Sequence, residues 1–171
     1  RLELVPTSPD RIEADLAAGV VDLVPGVRYT HHWIGRLRLS APYMEATLGM
    51  LVRDRDREQY LDLEGLRASA RRLRVAVPGQ SDLYEDHVRE FLAGVDYELV
   101  ELESWAAIAS ATERFDMLVG LAEVGMAWSL LHPEYTVVVP RDHIVRRPLA
   151  FALDPRDESL ARVVDEWVVL Q

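Results

Sequence analysis

The sequence contains no cysteine, which excludes disulfides, thiolate metal sites and thiol catalysis but leaves the compartment open, since many exported proteins lack cysteine too. It also contains no lysine and no asparagine, so all 19 basic residues are arginines. That bias reads as codon usage, and no function attaches to it. The arginines are scattered along the chain, and the net charge of −10 repels a phosphate backbone, so nucleic acid is set aside as a partner. No apolar run approaches the roughly 20 residues of a membrane span, and no charged-then-apolar leader precedes the first apolar stretch. The chain is therefore expected not to insert into a membrane, with any export signal lying outside it. Internal repeats and low-complexity tracts are absent, and solenoid and propeller architectures go with them.

What remains is the composition of a soluble globular protein: 49% hydrophobic and 28% charged residues, with nine glycines and nine prolines spread over 171 positions. This length suits one ordinary domain or two small lobes. Leu2-Glu3-Leu4-Val5 alternates like a strand, Ser8 is placed to cap a helix carrying Ile12 and Leu16, and Gly19 closes that helix. Val20 to Val24 reads as a second strand ended by Pro25-Gly26. Strand, helix, strand at this spacing is a parallel crossover, the unit of an α/β sheet.

A strand over Thr47 to Val52 follows, then a charged linker from Arg53 to Glu58 that reads as a solvated loop. Leu73 to Val77 is a strand leading through Pro78-Gly79-Gln80-Ser81 into a helix with Tyr84, Val88, Phe91 and Leu92 on one face. Gly94 ends that helix before a strand over Tyr97 to Leu102, giving a second crossover. A short helix from Trp105 to Ala111, a strand from Phe115 to Val119 and a helix through Met126 to Leu131 come next. Strands Tyr135 to Val139 and Leu149 to Leu153 precede a closing helix with Leu160, Val163, Val164 and Trp167 at helical spacing. Trp105, Trp128 and Trp167 are expected in the core. Ligands of open α/β sheets lie at the carboxyl ends of strands, which points to the turns at Pro25-Gly26, Pro78-Gly79 and Val119-Gly120.

Thr30, Ser40, Pro42 and Tyr43 fall in register on a pattern of T-x-x-R followed after a fixed gap by S-x-P-Y. Asp62-Leu63-Glu64-Gly65 matches a D-L-x-G segment, and Phe115-Asp116, Pro133-Glu134 and Pro148 to Ala152 follow in the expected order. On these motifs, spread over nearly the whole chain, the sequence resembles the family-3 extracellular solute-binding proteins. The resemblance implies an α/β fold of the type II periplasmic-binding kind, a two-lobed Venus flytrap that holds a ligand between its lobes. It places lobe 1 at residues 1–44 and 148–171 and lobe 2 at residues 45–147. Because the family has a strand and helix before the segment equivalent to Leu2, the first lobe is expected to be incomplete in this chain.

In amino-acid binders of that family the arginine of T-x-x-R grips the ligand's α-carboxylate through its planar fork. Trp33 occupies that position here, and Leu121 stands where an acidic residue pairs with the ligand's amino group. Both ends of the usual clamp are missing, which argues against a standard α-amino acid. The positions expected to face a ligand are Gly26, Arg28, Thr30, Trp33, Gln80, Ser81 and Leu121. Arg28 would supply an anion contact, Gln80 and Ser81 a helix N-terminus, and Trp33 a flat stacking wall. The ordinary alternatives stand beside these: Trp33 as a packing residue, Arg28 as a salt-bridged surface residue, Ser81 as a simple helix cap. Adjacent His31 and His32 point apart and lack a third ligand nearby, so no metal and no cofactor is expected.

The implied function is capture of a small organic ligand, carboxylate-bearing or aromatic, outside the cytoplasm, with an ABC transporter permease as partner. A membrane-bound sensor using the same fold is one alternative. Another is a periplasmic enzyme of the cyclohexadienyl (arogenate/prephenate) dehydratase kind, which the chain resembles at Phe115-Asp116-Met117 and Leu131-His132-Pro133. Asp82 would then have to replace that group's catalytic glutamate.

Overall fold

The largely apolar run from Ala46 to Val52 forms most of β3 (Met44–Arg53), and its side chains are almost all buried on both faces, as in a sheet covered on both sides. The computed structural model describes residues 2–69, 71–78, 82–103, 107–111 and 113–170, and the chain divides into two compact units. Unit 1 comprises residues 1–45 and 147–171, and unit 2 residues 46–146. The chain passes between them twice, within β3 and within β8 (Arg146–Leu153).

In unit 2, β3 pairs antiparallel on one edge with β6 (Met117–Leu121) and on the other with β7 (Tyr135–Val138). Beyond β6 lie β4 (Leu73–Pro78) and then β5 (Tyr97–Leu102), all three parallel. The link from β4 to β5 runs through α3 (Asp82–Phe91), so this crossover is present as expected. Val88, Phe91 and Leu92 of this stretch are fully buried, and Gly94 adopts φ +83° beyond it, a left-handed conformation suited to glycine after a helix. The segment from Arg53 to Glu58, expected as a loop, instead belongs to a 3₁₀ helix, Asp54–Tyr60. Its charges are arranged for that: Arg53 bonds Asp56 at 3.0 Å and Arg57 bonds Asp54 at 3.2 Å, each three residues apart, where side chains of a 3₁₀ turn eclipse. Asp62 caps α2 (Leu63–Ala68) by accepting from the Gly65 N–H at 2.7 Å. The unit is completed by α4 (Ala107–Ser110) and α5 (Ala122–Ser129). One apolar cluster includes Leu48, Met50, Val75, Phe91 and Met117, and another Leu51, Ala76, Ile108, Phe115 and Tyr135. Successive β3 residues feed different clusters, as the two-residue period of a strand requires.

In unit 1, β8 lies between β1 (Val24–Arg28) and β2 (Arg38–Leu39), antiparallel to both. The helices are α1 (Ile12–Ala17) and α6 (Glu158–Val169). Two expectations fail here. Leu2 to Val5 is extended but forms no strand, with Leu2 and Leu4 87% and 88% exposed. Alternation alone does not make a strand without a partner to accept its hydrogen bonds, and among the described residues β1 pairs with β8 alone. The second strand is also displaced: Pro25-Gly26, read as its terminator, lies inside β1. The register slips between Val24 and Val27, where Gly26 adopts φ +75°, the conformation of a bulge. An edge strand tolerates Pro25 because its missing N–H faces no neighbour.

The tryptophans expected in the core divide. Trp128 is partly buried against the second cluster, Trp105 lies outside the described residues, and Trp167 is 51% exposed, as is most of Val163. Ala161 and Val164 are the buried residues of α6 and Leu160 is half-buried, so the inward face shares Leu160 and Val164 with the expected one but leaves Val163 and Trp167 at its edge. Among the described residues no helix is long and apolar enough to cross a membrane.

Candidate functional site

The segment from Arg28 to Trp33 is held by its own backbone and by one buried loop. β1 ends at Arg28, opposite Leu149 of β8, and the chain turns into a 3₁₀ helix, His31–Trp33. The Trp33 N–H donates to the Thr30 carbonyl at 3.2 Å, and the Trp33 carbonyl accepts from Arg36 and Leu37, each at 3.1 Å. Tyr29, between Arg28 and Thr30, donates its hydroxyl to the Ser40 carbonyl. Burial raises the Tyr29 phenol above its ordinary value, the negative charge of Asp165 adds to this, and Arg38 opposes it.

Ser40 explains part of the S-x-P-Y pattern. It is 1% exposed, its N–H donates to the Phe151 carbonyl at 2.9 Å, and its Oγ accepts from the Phe151 N–H at 3.0 Å. The same hydroxyl donates to the Ala41 carbonyl at 2.7 Å. Ser40 thus zips the segment onto β8, and Tyr43 stacks on Phe151 with ring centres 4.4 Å apart.

The Thr30 Oγ1 atom differs from Ser40 Oγ. It is buried and has no hydrogen-bond partner, although a buried hydroxyl left unpaired costs roughly 1–3 kcal/mol. Trp33 lies close by in sequence but is only 6% exposed, its indole meeting the His32 ring edge-on at 4.3 Å. This is the environment of a packing residue, and it leaves little of the indole face open for stacking. Arg28 is partly buried. Gly26 occupies the β1 bulge rather than a turn at a strand end.

In unit 2, Leu121 ends β6 and stands at the N-cap of α5, partly buried against the first cluster. Its position follows from a close helix-to-sheet contact. A Cβ at Gly125 would meet Val137 Cγ2 at 2.8 Å, and one at Gly49 would meet Val137 Cγ1 at 3.1 Å and the Ala122 Cβ at 3.2 Å. Only glycine lets α5 approach β3 and β7 this closely. Glu123, in the first turn of α5, then accepts the Thr47 N–H at 3.0 Å. Gln80 and Ser81 lie outside the described residues.

Two further features of the units have other roles. A groove of about 470 Å³ in unit 1 is lined by residues including Ala17, Asp22, Asp154, Arg156 and Asp157. It lies towards the Val24 end of β1, the end away from Arg28 and Thr30. Its arginine is engaged, binding Asp154 and donating to the Ala17 carbonyl at 2.9 Å, and this pairing holds the Asp154 carboxyl at about 2. In unit 2, Asp116 precedes β6 with its side chain 1% exposed. It accepts from Arg71, from the Arg74 N–H at 2.9 Å and from the Arg74 guanidinium at 3.2 and 3.3 Å. Burial alone would raise this carboxyl, but the Arg74 hydrogen bonds and the two guanidinium charges hold it below the ordinary value.

The sequence matches no protein-family model and no curated protein. Solved structures do match. An ancestral amino acid-binding protein, described as a precursor of cyclohexadienyl dehydratase, is 25% identical with a TM-score of 0.73, over 98% of this chain and 70% of its own. An ancestral cationic amino acid solute-binding protein is 26% identical with a TM-score of 0.65, over 98% of this chain and 71% of its own. An amino acid ABC transporter substrate-binding protein from Streptococcus pneumoniae, bound to L-arginine, is 20% identical with a TM-score of 0.77, over 98% of this chain and 69% of its own. The chain has the two-lobed type II fold of the family-3 solute-binding proteins.

Proposed function

We propose that this chain is an extracytoplasmic solute-binding protein that captures a small organic ligand for an ABC transporter. The ligand is carboxylate-bearing or aromatic and is not a standard α-amino acid. The observation that carries the reading is the buried, unpartnered Thr30 hydroxyl, a polar group that a ligand would satisfy, two residues after the partly buried Arg28. The similar solved structures, described as amino acid-binding and substrate-binding proteins, support the solute-binding role. Trp33 and Leu121, an indole and an alkyl group where the amino-acid clamp places opposite charges, support a different ligand class. Arg28 supplies the anion contact through its planar fork. The burial of Trp33 favours its packing role, so the stacking wall is the weaker part of the earlier expectation.

A thermal-shift screen against amino acids, organic acids, aromatic acids and prephenate tests this, because a ligand that binds only the native state raises the melting temperature by mass action. The expected result is a shift with an aromatic or organic acid and none with standard amino acids. Thr30→Val should cut that affinity by about tenfold, the worth of one hydrogen bond to a charged group. A shift with standard amino acids alone would overturn the ligand assignment. Prephenate that is consumed in the screen would replace binding with the dehydratase reading, for which Asp82 is the candidate acid.

A further inference from the structure

Asp165 sits on α6, far in sequence from the Arg28 to Thr30 segment, yet its two carboxylate oxygens act on the loop that anchors it. Oδ1 accepts the Ala41 N–H at 2.8 Å, and Oδ2 accepts from the Arg38 guanidinium at 3.1 Å. Between these two grips lies Ser40, already fastened to Phe151 on its other side. The Ser40 carbonyl is where Tyr29 anchors, and Tyr29 is bonded through the chain to Arg28 on one side and Thr30 on the other. We propose that Asp165 is a positioning residue, fixing the Ser40 carbonyl and through Tyr29 the placement of the Arg28 guanidinium and the Thr30 hydroxyl. The functional weight of this inference rests on the reading that Arg28 and Thr30 contact a ligand.

The geometry argues for a directed role over a general one. A carboxylate that only neutralised Arg38 would need one oxygen, whereas here the second takes a backbone N–H in the loop itself. Such a charge-assisted bond to a backbone donor is among the stronger hydrogen bonds.

Amide hydrogen exchange on the unliganded chain separates the possibilities, alongside ultraviolet titration of the tyrosines. Asp165→Ala should speed exchange at Ser40 and Trp33, whose N–H groups bond the Phe151 and Thr30 carbonyls, by about tenfold, the loss of one such bond, while Leu16 and Val164 in the same unit keep their rates. Asp165→Asn retains an oxygen for the Ala41 N–H, so it should restore most of that protection. Both variants remove the charge, so both should let Tyr29 ionise at lower pH. Uniform acceleration throughout unit 1, or unchanged rates at Ser40 and Trp33 in both variants, would overturn the proposal. Should Asp165→Ala not fold, Asp165→Ser, which also loses the charge-assisted bond to Ala41, takes its place, and unchanged exchange at Ser40 and Trp33 there would overturn it as well. None of these readings needs a ligand: an empty thermal-shift screen sinks the functional reading and leaves the positioning result standing.

Discussion

The two units solve the same packing problem with different resources. In unit 2 a five-stranded sheet has an apolar cluster on each of two sets of side chains, and residues such as Phe91, Met117 and Ile108 are wholly buried. In unit 1 three strands and two helices bury fewer apolar residues, among them Leu16, Trp33, Leu149 and Leu153. Unit 1 meanwhile leaves Leu2, Leu4, Trp167 and Leu170 largely exposed. The lesson is that cohesion in unit 1 rests more on hydrogen bonds and charge, through Ser40, Asp165 and the Asp154–Arg156 pair, while unit 2 combines dense apolar packing with one buried carboxylate. Apolar burial scales with area, and a three-stranded sheet has little to offer.

Three substitutions press on that contrast. The largest expected effect is at Asp116. Asp116→Ala leaves two guanidinium groups and the buried Arg74 N–H without their acceptor, and should lower the stability of unit 2 by about 3 kcal/mol in urea unfolding. The same carboxyl gives a pH signature. Its depressed value means that its contribution is complete above the ordinary carboxylate range and is lost as pH falls through the folded-state value. The wild-type chain should therefore lose stability in acid more steeply than Asp116→Asn. A cost below about 1 kcal/mol would mean that the cluster behaves as a surface ion pair and that apolar packing alone distinguishes the units.

Next in size is Gly125→Ala. The new methyl meets Val137 Cγ2 at 2.8 Å, and overpacking of this kind costs about 1–2 kcal/mol. Combining it with Val137→Ala should recover part of the loss, and this non-additivity would locate the clash. The smallest effect is expected in unit 1. Trp167→Ala removes a large but half-exposed ring, whose one aromatic contact is Phe151 at 6.0 Å. It should change stability by no more than about 0.5 kcal/mol. A loss comparable to that at Asp116 would erase the contrast and make α6 the keystone of unit 1.

How far the sequence foretold this structure depends on the range of the forces involved. The strand at Tyr97 to Leu102 and the inward face of α3 were legible because period, apolar content and Gly94 agree locally. The alternation of Leu2 to Val5 misled, since a strand is a property of a pair of segments and only one of them is in that pattern. Pro25 and Gly26 misled for a related reason: the same two residues end a central strand or bulge an edge strand, and the position in the sheet decides which. The 3₁₀ helix at Asp54 to Tyr60 was foreshadowed by charges spaced three apart, a signal hidden by reading the run as merely polar.

In the candidate site, the T-x-x-R pattern located Thr30 but said nothing of its unpaired hydroxyl, which depends on what surrounds it in space. Asp116 with Arg71 and Arg74, Glu123 with Thr47, and Asp165 with Ala41 are joined across 42 to 124 residues. No local pattern encodes them. Trp33 was noticed for its place in a motif, and no local pattern foretold that it would be buried.

The pair of glycines beneath α5 bears on how such chains diverge. Gly49 and Gly125 are required by the distance between a helix and a sheet, and that demand takes no account of what the protein binds. Residues that touch a ligand are free to drift when the ligand changes. A spacing constraint has no such freedom. Among chains that share this fold, small residues at these two positions should therefore outlast the residues that contact a ligand, and should serve as its more durable signature.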